Sequence, residues 1–585
     1  MKTGATMAAT AAIAGLSLLA GAAGSHAAAG AAAAGPADLL LVNGAIYTQD
    51  ERQPWVQALA VRDGHYVAVG ANAAARRFSG PRTRVIDLHG RMLMPGLVDA
   101  HIHAVEGAVE DLYACIFPST ATAEQIRTRL GDCHRKAAPG EWLQGGSWDS
   151  DFFAHQQIAS PRLWLDAIVG DRPVILRDDS HHNVWVNSAA LRLAGVNAET
   201  PDPTGGSFER EADGRQPNGI ALEAAAEFLS AAAPVRAPAE LRRAVLHSQE
   251  LAHRFGIIGL KEADAVEAVI SAYHDVENAG QLTMYASSCI STLAQQQAPD
   301  TTLDLDRIER IHSAYSGPLM AVDCVKFYLD GVPTPARTAA MLDPYLPDAK
   351  GESTRGLLHV NPETLATDLI ALDQRGYSVK MHAAGDGAIR EGLDAVEATR
   401  KANGGGGQHH ELAHAGFIAS TDLGRFARLN VIADLSPVIW YPSPIIEAVT
   451  AAVGAERGAH YWPMRSLLAA DAPMAAGSDW PSVVPSMDPW GGIEAMVTRA
   501  DPYGASPATL WPEQAVSLAD ALRIYTLGGA GALGRERETG SIVTGKSADF
   551  IVLDHNLFKV PAASISDVRV DLTYFKGREV YRRVP

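Results

Sequence analysis

"MPGLVDAHIHA", Met94 to Ala104, is an apolar stretch that carries an aspartate and two histidines in its last six residues. The apolar opening predicts a buried strand. On a strand, side chains at i and i+2 project to the same face, so His101 and His103 stand together, an arrangement that suits a metal ion. One His-x-His is a weak signal. The remaining ligands have to come from elsewhere in the chain.

Downstream, short apolar runs alternate with Ala/Leu/Glu-rich helical stretches, the pattern of a parallel α/β sheet or barrel. The candidate strands are "GLVDAHIHA", "PVILRDD", "GIIGLKEAD", "LTMYASSC", "AVDCVKFYL", "YSVKMHAAG", "HHELAHA", "NVIADLS" and "APMAAGSDW". These are nine, one more than a closed eight-stranded barrel takes. The region from about 105 to 235 is rich in Trp, Gly and Pro and too long for a simple strand-to-helix link, so "PVILRDD" is assigned to an insertion there. Its aromatic segments, "EWLQGGSWDSDFF" and later "WYPSP", hint at an apolar or aromatic acyl or amine group in the substrate.

Both ends of the chain have another texture. "LLLVNGAIYTQD", "ALAVRDGHYVAVG" and "RVIDLHGRMLMPG" are short β-rich runs broken by Asn-Gly, Asp-Gly and His-Gly turns, and "GSIVTGKSADFIVLD" and "LTYFKGREVYR" repeat the pattern near the C-terminus. Such ends around a long middle predict one small β-domain assembled from the two termini.

In a parallel barrel the strand tips converge on one face, where the catalytic groups sit. His382 ends "SVKMHAAG", His414 ends "HHELAHAG" with His410 four residues earlier, and Asp479 ends "APMAAGSDWP". His101, His103, His382, His414 and Asp479 make an N/O ligand set suited to zinc or a similar first-row divalent ion. Lys326 stands in the apolar run "AVDCVKFYL", where alternation puts Cys324, Lys326 and Tyr328 on one face. A buried ammonium is costly and either loses its proton or finds a partner. Neutral, it can react with carbon dioxide to give a carbamate, an anionic oxygen donor able to bridge two cations. The alternative is an ammonium paired with Asp330 or Glu262.

Composition narrows the partners. With 47% hydrophobic and 20% charged residues the chain has a globular balance. A formal charge of −18 argues against nucleic acid and anionic membrane surfaces. A small-molecule substrate is expected, and a homo-oligomer stays open. Lys2, an apolar stretch from Met7 to Ala23 and small residues near Ser25 to Ala29 read as a secretory signal, so an exported, periplasmic or secreted, protein is expected, with no membrane span after cleavage. The four cysteines show no C-x-x-C spacing; Cys115 and Cys133 could pair in an exported protein, or all four could be isolated buried thiols.

Together these segments resemble the amidohydrolase superfamily of metal-dependent hydrolases, in particular its amidohydrolase-3 group, which includes N-substituted formamide deformylases. "MPGLVDAHIH" is similar to the first barrel strand of that family and "GSIVTGKSADFIVLD" to its C-terminal β-sandwich return. "RDDSHHNVWVNSAAL", "VKFYLDG", "MHAAGDGAI" and "AAGSDWP" resemble segments of the group. The resemblance implies a (β/α)8 TIM-like barrel beside a composite β-sandwich. In those terms, residues 1–29 are the signal, 37–93 and 540–585 the two parts of the sandwich, 94–490 the barrel and 491–539 its C-terminal helices. It also implies His101, His103, His382 and His414 as ligands of one or two divalent ions, with zinc the expected metal, Asp479 as the proton-handling carboxylate and Lys326 as a bridging carbamate. A group histidine facing the substrate matches His182. The chain departs from the group with "DSHH" where Gly-His is usual, which leaves His181 or His182 for that role.

The implied reaction is hydrolysis of a non-peptide C–N bond in a linear or N-substituted amide. The same site could act on an ester, carbamate or cyclic amide. An exported metal- or solute-binding protein without catalysis would be expected to lack the proton carrier, and Asp479 is present. "GGSWD" and "AGSDWP" are not G-x-S-x-G elbows, so no serine nucleophile is marked.

Overall fold

Eight of the nine candidate strands pair in one parallel sheet in chain order. The computed structural model describes residues 35–584 except 150–151, 180–181, 204, 294–301, 335, 349–350 and 483. The strands are β1 (Leu97–Ile102), β2 (Ile257–Ala265), β3 (Tyr285–Ser291) and β4 (Met320–Tyr328). They continue as β5 (Ser378–Ala383), β6 (His410–His414), β7 (Val431–Leu435) and β8 (Met474–Ala476). Every neighbouring pair is parallel. The sheet curls until its ends meet: the Asp479 N–H donates to the His101 carbonyl at 2.8 Å and the His103 N–H to that of Trp480 at 2.9 Å. The fold is an α/β barrel, as expected.

Helices follow the strands because capping signals sit where the chain leaves the sheet. The helix Pro362–Gln374 starts at Asn361, whose side chain accepts from the Glu363 and Thr364 N–H groups, with Pro362 in the first turn where its missing N–H costs nothing. Leu365, Leu369, Leu393 and Val396 on the outer helices pack with Val325, Val379 and Leu412 of the strands in one buried core.

Inside the barrel the packing is different. Such barrels are usually filled by branched aliphatic side chains, yet here Lys261, Lys326, Lys380, Glu411 and Asp434 all lie in the interior with at most 1% of their surface exposed. Lys261 donates to Glu411 and to the Ala532 carbonyl, and Lys380 to Glu411, Asp434 and the Ala100 carbonyl. Charges buried this deeply persist only when paired and hydrogen-bonded, and Lys261, Glu411, Lys380 and Asp434 form one continuous chain.

The termini do build one small domain. Phe550–Leu553 pairs antiparallel with Met92–Pro95, so a sheet runs in the order 578–582, 570–575, 550–553, 92–95, 45–47, 55–56. A second sheet of N-terminal strands faces it, and Leu41, Leu59 and Val61 of that sheet share a core with Phe550, Val552 and Tyr574.

The ninth strand, Val174–Asp178, lies outside the barrel. It belongs to a mixed six-stranded sheet within the insertion, ordered 206–210, 217–223, 183–186, 174–178, 143–148, 115–116. The aromatic residues of this region fill its own core. Trp148, Phe152 and Trp185 are at most 3% exposed, and both indoles donate to backbone carbonyls. Trp440 of "WYPSP" is fully buried against Trp462. These rings pack the protein and so lend no support to an aromatic substrate.

Cys115 bonds Cys133, and Cys289 bonds Cys324. The second pair joins β3 and β4, where the two residues stand in register; isolated thiols are therefore not the state of either pair. Among the described residues no helix is long and apolar enough to cross a membrane. The proposed signal lies outside them.

Candidate metal centre

Strand polarity brings the expected residues to one place. Nε2 of His101 and Nε2 of His103 lie 3.4 and 3.5 Å from Asp479 Oδ1, and Nδ1 of His414 lies 4.0 Å from Asp479 Oδ2. Ligand atoms of His101, His103 and Asp479 all fall within 4.8 Å of one another. The His414 ring is 4.9 Å from that of His101 and 4.6 Å from that of His382, measured between centroids. Lys326 stands beside them, its Nζ 4.7 Å above the Tyr328 ring, which stacks on His382.

The last turn into the site is tight. Asp479 has φ +56° and His414 φ +70°, left-handed conformations that non-glycine residues rarely adopt. Gly477 lies against β1, where a Cβ would sit 2.3 Å from the His101 nitrogen. The small residues of "AAGSDW" are thus what lets β8 close on β1 and deliver Asp479.

Two of the imidazoles are oriented from behind. Nδ1 of His101 lies 2.6 Å from Asp434 Oδ2, and Nδ1 of His382 lies 3.0 Å from Asp330 Oδ1. An ionised carboxylate only accepts, so both rings keep their proton on Nδ1 and turn Nε2 to the site. This is how metal-binding histidines are usually held. Asp330 also accepts from the Ala340, Ala384 and Gly385 N–H groups, and Glu262 from Tyr273 and Val105. The expected alternative partners of Lys326 are therefore engaged elsewhere.

The electrostatics suit a cation. Burial pushes the His414 imidazole down to about 3, and His101 is likewise held well below its ordinary value by burial and by Lys380 and Lys326. The lowered values favour the neutral imidazole, the form that binds metal. Burial works against ionised Asp479, but His101, His103 and His414 outweigh it and hold the carboxyl far below the usual range. Burial lowers Lys326 to about 8, with Asp264 opposing the shift. One observation tests the fit of a metal directly. His101 Nε2 is buried and makes no hydrogen bond, although an imidazole nitrogen so placed needs a partner. A divalent ion held by His101, His103 and Asp479 would supply one.

His182 approaches from the insertion, with its Nδ1 2.9 Å from Glu223 Oε2. His181 lies outside the described residues. Three groups at this centre escaped the reading of the sequence: Asp434 behind His101, Glu223 beside His182, and His359, whose N–H donates to the Leu329 carbonyl at the tip of β4. Asp434 carried a signal, because "VIADLS" buries an aspartate in an apolar strand. Glu223 and His359 carried none, since only tertiary pairing brings them here.

The amidohydrolase family model Amidohydro_3 matches residues 84–581. N-substituted formamide deformylase of Arthrobacter pascens is 30% identical over 560 residues, which cover 93% of this chain and 98% of that protein. The putative amidohydrolase YtcJ of Bacillus subtilis is 27% identical over 92% of this chain and 98% of its own. Among solved structures, an uncharacterized metal-dependent hydrolase from Pyrococcus horikoshii superposes with a TM-score of 0.71 over 90% of this chain and 99% of that one, at 24% identity. The match runs from the composite sandwich through every strand that carries a candidate ligand, and the chain belongs to the amidohydrolase family.

Proposed function

We propose that the protein is a metal-dependent hydrolase of a non-peptide C–N bond in a linear or N-substituted amide. The observation that carries this reading is the convergence of His101, His103 and Asp479, with the His414 and His382 rings beside them, around the unpartnered His101 Nε2. The formamide deformylase relative supports an amide substrate. His101, His103, His382 and His414 would hold the ion through ring nitrogens, with the Asp479 carboxylate as a fifth group that offers oxygen. A divalent ion held there supplies the acidity that makes water a nucleophile near neutral pH.

The chain's own groups do the rest. Asp479 takes the proton of the attacking water as the water oxygen bonds to the acyl carbon, and returns it to the nitrogen as the C–N bond breaks. His182 donates to the acyl oxygen while negative charge builds on it. Purified, metal-analysed protein should hydrolyse members of a panel of N-formyl and N-acyl amines, lose that activity to a chelator and regain it with zinc. Turnover confined to esters, carbamates or cyclic amides would redirect the reading to those bonds.

Lys326 is proposed as a carbamate. Its Nζ would attack the carbon of carbon dioxide and release a proton, leaving a carbamate whose single negative charge is shared by two oxygens at the strand tip. His101→Ala should lower metal content, and Lys326→Ala should remove at least one equivalent, with partial recovery when a small carboxylate is added. Lys326→Arg should not recover it, because guanidinium stays charged. Full occupancy of a single ion beside an unmodified Lys326 amine in electron density would rule the carbamate out.

Export is proposed as well. The two disulfides support it, since such bonds persist in oxidising compartments. N-terminal sequencing from the native host should return a start between Ala27 and Gly35. An intact Lys2 in a cytoplasmic fraction would overturn this.

A further inference from the structure

His182 and Glu223 belong to the insertion, not to the barrel, and they are tied twice. Strand 217–223 runs antiparallel to strand 183–186, with Asn183 opposite Leu222, so His182 and Glu223 are the next pair along. The Glu223 N–H donates to the His182 carbonyl at 3.0 Å, and the side chains meet at 2.9 Å. To make both contacts Glu223 adopts φ +51°, a left-handed backbone at a residue with a long side chain. Strain of this kind persists where the surroundings enforce it, often at functional sites.

The pair faces the barrel mouth. His359, anchored to Leu329 at the end of β4, and His382, whose carbonyl accepts from the Leu329 N–H at 3.0 Å, both act on the Glu223 carboxylate. We propose that Glu223 is a positioning residue that holds His182 as a hydrogen-bond donor through Nε2, so that the insertion supplies the donor for the acyl oxygen of the substrate. This rests on the amide-hydrolase reading above.

The chemistry follows from the ring. With Nδ1 bound to a carboxylate, a neutral His182 presents Nε2 as an acceptor. It donates there only when both nitrogens are protonated. Burial works against that charge, but Glu223 outweighs burial, helped by Asp178 on the neighbouring strand and Glu227 on the following helix, and the imidazole is held above its ordinary value. Arg177 stands among the same acids and pairs with Glu106 on the helix after β1. His359 and His382 face the pair from the barrel side. Ionised Glu223 thus favours the doubly protonated ring, the form in which Nε2 can donate to the acyl oxygen.

The sign of the pH effect is fixed. Protonated His182 is lost as pH rises through its raised pKa, so its donation fails on the alkaline side. Glu223→Gln keeps the shape and removes the charge, which moves that failure to lower pH. On protein with selectively labelled histidine, with His182→Gln used to assign the signal, the His182 titration should move down in Glu223→Gln. The alkaline limb of kcat for an N-acyl amine should move with it, costing about tenfold for each unit once pH exceeds the pKa. KM and metal content should change little, and lowering the pH should restore turnover. An unmoved His182 titration would refute the pairing. A moved titration with an unmoved pH–rate limb would refute the donor role. Absence of amide hydrolysis by the unmodified protein would instead refute the functional reading, while the titration would still report on the pair.

Discussion

Asp479→Asn is expected to reduce kcat by about three orders of magnitude, within the range of a lost general acid–base group, while most of the metal stays bound. The argument has three parts. First, the carboxamide is isosteric and still offers an oxygen near His101 and His103, which lie 3.4 and 3.5 Å from the present carboxylate. Second, asparagine tolerates the left-handed backbone of position 479 as well as aspartate does, and the N–H that closes β8 onto β1 is unchanged. The fold and four histidines are therefore retained. Third, an amide cannot take a proton from water or return one to the leaving nitrogen. Steady-state kinetics with metal analysis on the same sample separates these effects. Turnover within a few-fold of the unmodified protein would remove Asp479 from proton handling, and loss of metal in parallel with activity would reassign it to ligation alone.

Most of the barrel was legible because its strands are short, apolar and end in conspicuous polar residues. "GLVDAHIHA", "SVKMHAAG", "HELAHAG" and "AAGSDW" each announce a buried strand and a ligand-type tip, and period-two alternation alone puts Lys326 and Tyr328 on a common face. The insertion was not legible in the same way. Its tryptophans look alike whether they line a substrate site or fill a local core, and only the pairing of six strands shows Trp148 and Trp185 turned inward. Glu223 was hidden for a related reason. It sits 41 residues from His182 in the chain, and their contact exists only because two antiparallel strands fix the register. The interior lysines lay between these cases. Lys380, two residues before His382, is on the same face of β5 by alternation, but nothing in "SVKMHAAG" says which acids on β6 and β7 will meet it.

Those acids give Lys380→Met its expected effect, a loss of about 3–5 kcal/mol in stability, the usual result of removing one member of a buried ion pair. Lys380 has no exposed surface, and neither do Glu411 and Asp434, between which it sits. The methionine fills much of the volume, so cavity formation is a minor part of the effect. What remains is charge. Glu411 keeps Lys261, but Asp434 keeps only the His101 imidazole, and its Oδ1 already lacks a hydrogen-bond partner. An anion left in that position has no water to solvate it. The urea midpoint of metal-free Lys380→Met should therefore fall well below that of the unmodified protein, and adding Asp434→Asn should recover part of the loss, since the second change removes the stranded charge. Destabilisation that simply adds in the double variant would mean that Lys380 and Asp434 do not compensate one another. The interior would then be held by packing rather than by its charge chain. Compensation would instead connect the metal centre to the barrel core, because the carboxylate that orients His101 would be the same one that pairs with Lys380.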